Sequence, residues 1–433
     1  MYRVALRARL ARRASVARPR LAPWAAGTVL AAAGALAAAP LPAAAATAGP
    51  LPSSGPAIAG WGVNNEGELG TGMATGPLVL VPRVAALPPG TQITQISPGC
   101  DFALALTSTG SVLAWGDNAL GQLGNGTTGN FSATPAQVKF PAGVQIQAVA
   151  AGCNFSLAVT TGGQLWAWGE NGIGQLGTGQ KSDPKPNPVQ VQLPAGVRVT
   201  TVSAGFQHTL ALTTTGQLLA WGDNTERELG TGSTSGFDAT PSLVQQLGRT
   251  RVAAVVAGDF YSQVVTTDGQ VLGWGTQNRG ALGNGRSIAR RTVRPVRALV
   301  PPGLRVQSLF SGCFHSLALT TTGTVLSWGS NTLGELGIGS TKLMSSPVPL
   351  PVRLPLGSGP AVAVGGGCEH AMVLTSHGQV LDWGAGGLLG NGSATPSASP
   401  VQVQLPAGDP AIRISSGASA NFSLALLAQI PQA

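Results

Sequence analysis

Four cysteines, four histidines and sixteen carboxylates are the residues of this 433-residue chain best suited to chemistry. Cys100, Cys153, Cys313 and Cys368 each stand directly after a glycine. An even count suits two disulfides, and Cys100–Cys153 and Cys313–Cys368 are the pairs from neighbouring repeats. A small buried apolar side chain at a repeated site is the other reading. No C-x-x-C spacing supports a metal. His208, His315 and His370 each lie three residues after a recurring glycine, where other repeats carry Phe102, Phe155 and Tyr261. A position that accepts Phe, Tyr or His is expected to pack rather than to ligate or catalyse. His377 falls in a hairpin turn and is expected to be solvated. No G-x-S-x-G, P-loop or H-E-x-x-H occurs. Asp101, Asp259 and Glu369 are the acids near the recurring glycines, each in a different repeat. A hydrolase or lyase site would need them to converge with shifted pKa values.

Two further features break the repeat. The position two after each glycine reads Asp101, Asn154, Gln207, Phe260, Phe314 and Glu369. Variable residues on a uniform frame can encode partner choice, which makes Asp101, Phe260, Tyr261, Phe314 and Glu369 candidate contacts, and simple tolerance of substitution in a loop is the alternative. Arg279, Arg286, Arg290, Arg291, Arg294, Arg297 and Arg305 cluster without an intervening acid. Arg286, Arg290, Arg291 and Arg294 are candidate contacts for an anionic partner, and a solvated charged loop is the alternative.

The elements that must position these residues are repeated. Trp-Gly recurs at Trp61, Trp115, Trp168, Trp221, Trp274, Trp328 and Trp383, at intervals of 53–55 residues. Gly99, Gly152, Gly205, Gly258, Gly312, Gly367 and Gly417 recur in step with it. Fixed self-similarity implies stacked copies of one unit that cannot bury its apolar face alone. In residues 144–196 the pattern predicts strands at Val144–Ala151, Phe155–Val159, Gln164–Trp168 and Pro188–Leu193. Four strands in each of seven units predict an all-β, seven-bladed β-propeller over residues 57–433, with a motif tryptophan between blades. The first unit enters at Ala57–Trp61 without a second strand, and the last stops at Phe422–Leu426 without a third. The two halves are expected to pair and close the ring. Equivalent cysteines would then approach each other only near the central axis.

Composition agrees: 9% of residues are charged, with 62 Gly and 32 Pro. Seven arginines and no acid lie in residues 1–20, so of the formal charge of +9 only +2 belongs to the rest. A nucleic-acid partner is therefore not expected. The basic segment leads into an Ala-rich apolar run with A-x-A sites near Ala46, which reads as a secretory signal over 1–46, with a linker over 47–56. Arg12-Arg13 leaves Sec and twin-arginine export both open. A membrane is expected only through an uncleaved signal.

The segment Ala204-Gly205-Phe206-Gln207-His208-Thr209-Leu210-Ala211-Leu212, followed by Trp221-Gly222, Asn224 and Leu229-Gly230, resembles the regulator of chromosome condensation (RCC1) repeat. The sixth unit matches as well, and the resemblance spans about residues 57–427. Gln277 replaces the repeat asparagine in the fifth unit, and the seventh loop, Trp383 to Gly390, lacks two residues. The resemblance implies a propeller and, from the family's founder, guanine-nucleotide exchange through a projecting wedge. Units of nearly equal length leave no room for that wedge. The chain is also similar to the secreted β-lactamase inhibitory protein II type of propeller, which implies binding of a protein through one face. The expectation is a secreted or cell-envelope, monomeric, non-enzymatic module without cofactor, binding another protein or an anionic cell-surface polymer. Exchange activity, or a hydrolase or lyase site at the channel mouth, are the alternatives.

Overall fold

The computed structural model describes residues 57–428 apart from 75, 77, 289, 407, 408, 416 and 418. The signal segment and linker lie outside the described residues. Seven antiparallel four-stranded sheets are present. In one of them the strands are Ile146–Ala151, Phe155–Thr160, Leu165–Gly169 and Lys185–Gln190, hydrogen-bonded in sequence order. The fourth strand starts three residues before its predicted position. Its pairing shifts between Lys185↔Gly169 and Val189↔Ala167, a bulge that spans Pro188. Every outer strand carries a proline, at Pro82, Pro135, Pro188, Pro241, Pro295, Pro349 and Pro400. Proline lacks the N–H that a further strand would use, so the seven outer edges are blocked against pairing with another chain.

The first strand of each blade lies at the axis. Gln95, in the strand Ile93–Pro98, accepts from Val149 N–H (3.0 Å) and donates to Val149 O (2.9 Å) on the next blade's first strand. Ser97 Oγ accepts from Ala151 N–H and Ser203 Oγ from Ala257 N–H, each at 3.0 Å. These side chains stitch neighbouring inner strands together.

The ring closes as the sequence requires. One sheet has the order Val79–Val84, Ala57–Gly62, Phe422–Leu427, Ala411–Ser415. Its central pairing runs without a bulge from Ala57↔Leu427 to Gly62↔Phe422. The beginning and the end of the described chain are thus neighbouring strands of one blade.

All seven motif tryptophans are fully buried between blades. Trp221, for example, packs with Leu157, Leu176, Val191 and Val202. Six indoles donate to a main-chain carbonyl in the long loop of the preceding blade: Trp115 to Glu68, Trp168 to Gln122, Trp221 to Gln175, Trp274 to Glu228, Trp328 to Ala281 and Trp383 to Glu335, at 2.8–3.0 Å. The glycine two residues on explains the Leu-Gly half of the motif. At Gly177 φ is +67°, and a Cβ would sit 2.8 Å from Trp221 Nε1. Any side chain there collides with the indole and meets the strain of a left-handed backbone.

Candidate binding face

Two kinds of segment emerge on one face of the ring: the tight glycine turns between first and second strands, and the long loops between third and fourth. They are tied together. The residue two after each tryptophan donates its N–H to the variable residue of the turn: Asp117 to Asp101, Glu170 to Asn154, Asp223 to Gln207, Thr276 to Phe260, Ser330 to Phe314 and Ala385 to Glu369. In the closing blade Val63 donates to Asn421. The hairpin turns and the Pro-Gly crossings lie on the opposite face.

The long loops are rigid for a reason visible in the sequence. Asn171 Oδ1 accepts from Leu176 N–H and its Nδ2 donates to Gln180 O, so one buried side chain spans the loop. Asn118, Asn224 and Asn331 repeat the bond to Leu123, Leu229 and Leu336. Glu228 and Glu335 are also buried, each accepting a main-chain N–H two residues earlier, from Glu226 and Leu333. Burial pushes Glu228 up to about 8, with Asp223 adding to the effect. These carboxyls hold turns. Gln277 breaks the pattern: it takes Asn284 Nδ2 instead, and a short 3-10 turn, Asn278–Gly280, forms with Arg279 at φ +56°.

At the innermost level both disulfides are formed, Cys100–Cys153 and Cys313–Cys368, with Cα separations of 4.5 and 4.7 Å. The reading as isolated buried thiols is thereby corrected. The backbone shows why the cysteines meet. Cys100 N–H donates to Cys153 O (3.3 Å), Cys153 N–H to Phe206 O (3.4 Å) and Cys368 N–H to Ala420 O (3.4 Å), so this level is a tight collar about the axis.

The histidines pack, as their shared position requires. His208, His315 and His370 are fully buried. His208 Nε2 lies 3.0 Å from Ser262 Oγ, and His370 Nε2 lies 2.7 Å from Ser423 Oγ, each on the next blade. Burial pushes both imidazoles down to about 3, with His315 adding to the effect at His370. Tyr261 requires correction as a partner contact. It is fully buried, and its hydroxyl donates to Gly312 O and His315 O at 3.0 and 2.8 Å. Its side chain joins two blades and faces no solvent.

Asp101, Phe260, Phe314 and Glu369 do sit partly exposed on the face. Neither Asp259 nor Glu369 owes its shift to another of the three acids near the turn glycines. Glu369 is raised by burial and then by Glu335, and Asp259 is raised well above the ordinary range by burial alone. Among the described residues no group of three or more His, Cys, Asp or Glu could hold a metal. The two phenylalanines join a third, Phe206, that sequence reasoning passed over. Ring centroids are 5.9 Å apart for Phe206–Phe260 and 6.2 Å for Phe260–Phe314. Also missed were the acids two after tryptophan, Asp117, Glu170 and Asp223, although their constant offset from Trp-Gly was a usable signal. Glu170 accepts from Gln207 Nε2 (3.2 Å) and Asn154 Nδ2 (3.4 Å), and burial raises its pKa.

The arginine cluster does not form one patch. Arg291–Arg297 is the outer strand of its blade rather than a loop, so Arg291, Arg294 and Arg297 are strung along an edge. Arg286 and Arg290 are exposed beside the candidate face. Arg291 Nε pairs with Glu226 Oε2 at 3.0 Å, and Arg279 donates to Ser330 Oγ at 3.3 Å. Arg305 reaches Thr267 O in a hairpin turn, on the opposite face.

Comparison with known proteins agrees with this geometry. The model of the RCC1-like domain matches residues 181–429, and models of the regulator of chromosome condensation (RCC1) repeat match residues 109–159, 93–122 and 146–175. The chain is 32% identical over 344 residues to the ultraviolet-B receptor UVR8 of Arabidopsis thaliana, covering 79% of this chain and 76% of that protein. It is 31% identical over 368 residues to the human E3 ubiquitin-protein ligase HERC2, covering 84% of this chain but 7% of that protein. Yeast RCC1 (Prp20), solved with Kap60 bound, superposes with a TM-score of 0.77 at 24% identity, over 88% of this chain and 90% of that one. Human WBSCR16 superposes at 0.75 and 22% identity, over 87% and 100%. With seven blades, a register repeated around the ring and these matches, the chain belongs to the RCC1-repeat propeller family.

Proposed function

We propose that the protein is an extracytoplasmic binding module that takes a protein partner on the face bearing the glycine turns, without catalysis. The carrying observation is the half-exposed aromatic arc Phe206–Phe260–Phe314 at a rim stiffened by two disulfides. Clustered aromatic side chains on a preorganised frame are what interface anchors consist of. Both disulfides support export, because such bonds persist in oxidising compartments. The division of the arginines between an edge and two faces favours a protein over an anionic polymer. Yeast RCC1 is a propeller of this fold solved with a protein partner, Kap60.

The test compares the protein with its Phe260→Asp/Phe314→Asp variant in affinity capture from the cell envelope and medium. A partner retained by the first and lost by the second is expected. Identical captures would overturn the assignment of the face. Recovery of the native protein only from cytosol, with four titratable thiols, would overturn the compartment.

A further inference from the structure

The centre of this face has a charge pattern that the overall composition conceals. Three positions per blade surround the axis there: the residue one after the turn glycine, the variable residue two after it, and the residue two after the tryptophan, with Ala420 and Asn421 as the closing blade's counterparts. Among the described residues these positions hold Asp101, Asp117, Glu170, Asp223, Asp259 and Glu369, and no lysine or arginine. The whole chain has only 16 acids against 25 basic residues. Six of the acids thus stand at these positions, and the bases that reach them come from the long loops: Arg279 donates to Ser330 Oγ at 3.3 Å, and Lys181 acts on Asp223.

Asp259 adds an observation of a different kind. It is 1% exposed, and neither carboxyl oxygen has a hydrogen-bond partner among the described residues. It occupies the collar position at which the four cysteines stand in other blades. There, side chains meet those of the adjacent blade, as the two disulfides show. Its collar neighbours are Phe206 and Cys313, and the next residue is Phe260. A buried carboxyl without a partner is costly, and a cation restores what burial removes. The faces of aromatic rings within about 6 Å of a cation add a further attraction. Glu170 is held by two side-chain amides and lies against Gln207, whose neighbour is Phe206.

We propose that this mouth seats a lysine or arginine side chain carried by an apolar segment of the protein partner, with Phe206, Phe260 and Phe314 taking the apolar residues and Asp259 and Glu170 facing the charge. The inference rests on the binding-module reading and adds the chemistry of the partner. It also reverses the expectation of an anionic partner, since no lysine or arginine stands at the ring positions themselves, and Arg279 touches the ring at Ser330. Complementarity of this kind fixes orientation and speeds association.

The experiment titrates the full-length protein by calorimetry with a 15-residue lysine–leucine peptide, the matching glutamate–leucine peptide, and N-acetyl-lysine methylamide. Saturable binding of the lysine peptide alone is expected, weakening as salt is raised. Asp259→Asn and Phe260→Ser should each lower affinity about tenfold or more, with thermal melting as the control for folding. Gln207→Lys, at a half-exposed position beside Glu170, should also lower it by supplying an internal cation and removing nothing from the core. Equal binding of the glutamate peptide, or affinity unaffected by all three substitutions, would overturn the proposal. Equal affinity for N-acetyl-lysine methylamide would overturn the commitment to a protein segment. Failure of the lysine peptide alongside a phenylalanine-dependent capture would refute the basic side chain and leave the binding module standing.

Discussion

The seam between the Trp383 blade and the closing blade differs from the other six. Elsewhere the indole donates to a loop carbonyl of the preceding blade, as Trp221 does to Gln175 at 3.0 Å. In the closing blade Trp61 Nε1 donates to Asp382 Oδ2 at 3.2 Å. The loop that would offer the carbonyl is the one two residues short. Asp382 is fully buried, and its Oδ1 has no hydrogen-bond partner among the described residues. Burial raises its pKa well above the usual carboxylate range, against the lowering effects of the Trp61 and Trp383 contacts. The frame thus requires an acceptor in front of the indole, and a side chain can stand in for a backbone. The substitution places an ionisable group in a seam flanking the blade that closes the ring.

The largest difference is expected from the closing strand itself. Deleting residues 415–433 removes Phe422–Leu427, the partner of Ala57–Gly62, and should abolish cooperative thermal unfolding. A melt like that of the intact protein would refute closure through this strand. Next, Trp221→Ala and Trp61→Ala should each cost about 3–5 kcal/mol in denaturant unfolding, because both empty a fully buried site. Near-neutrality at either would show that its seam is not a close-packed one.

A smaller effect comes from the buried histidines. Their folded pKa of about 3 lies below the unfolded value near 6.5, so neutral His208 and His370 support the fold above pH 6.5. That support is lost as pH falls from 6.5 towards 3. The His208→Phe/His370→Phe variant should lose less stability over that interval, by a few kcal/mol. Parallel pH profiles would contradict the assignment.

Asp382 has the opposite sign. Its folded pKa is raised, so its contribution is greatest below about pH 4 and declines as pH rises towards the raised value. Asp382→Asn keeps an acceptor for Trp61, and its stability relative to the native protein should therefore climb between pH 5 and pH 8. An offset independent of pH would show that the carboxyl is not the titrating group. The smallest effect is expected from Trp221→Phe, whose lost hydrogen bond is worth about 1 kcal/mol beyond packing.

Much of the frame was legible. The Trp-Gly and turn-glycine spacings gave blade number, strand order and closure, because each residue type answers a local steric need. The fourth strand was displaced because Pro188 reads as a strand start, whereas the structure uses it at a bulge in an edge strand. Of the candidate contacts, Asp101, Phe260, Phe314 and Glu369 are on the face, and Tyr261 is not. One step along the chain separates the turn from the second strand, and the side chain swings from the rim into the seam between blades. The arginines looked like one cluster because sequence proximity hides which end of a strand each occupies.

By itself the sequence determined a closed ring of seven copies, since each copy leaves an apolar face that only its neighbours can cover. Only the tertiary structure decided that Cys100 meets Cys153, that Trp61 finds Asp382, and that six acids from six separate turns and loops share one mouth. Cys100 and Cys153 lie 53 residues apart, Trp61 and Asp382 lie 321 apart, and the six acids are spread from residue 101 to residue 369. Rotation about the propeller axis turns such separations into contacts, and no local pattern records the radius at which it does so.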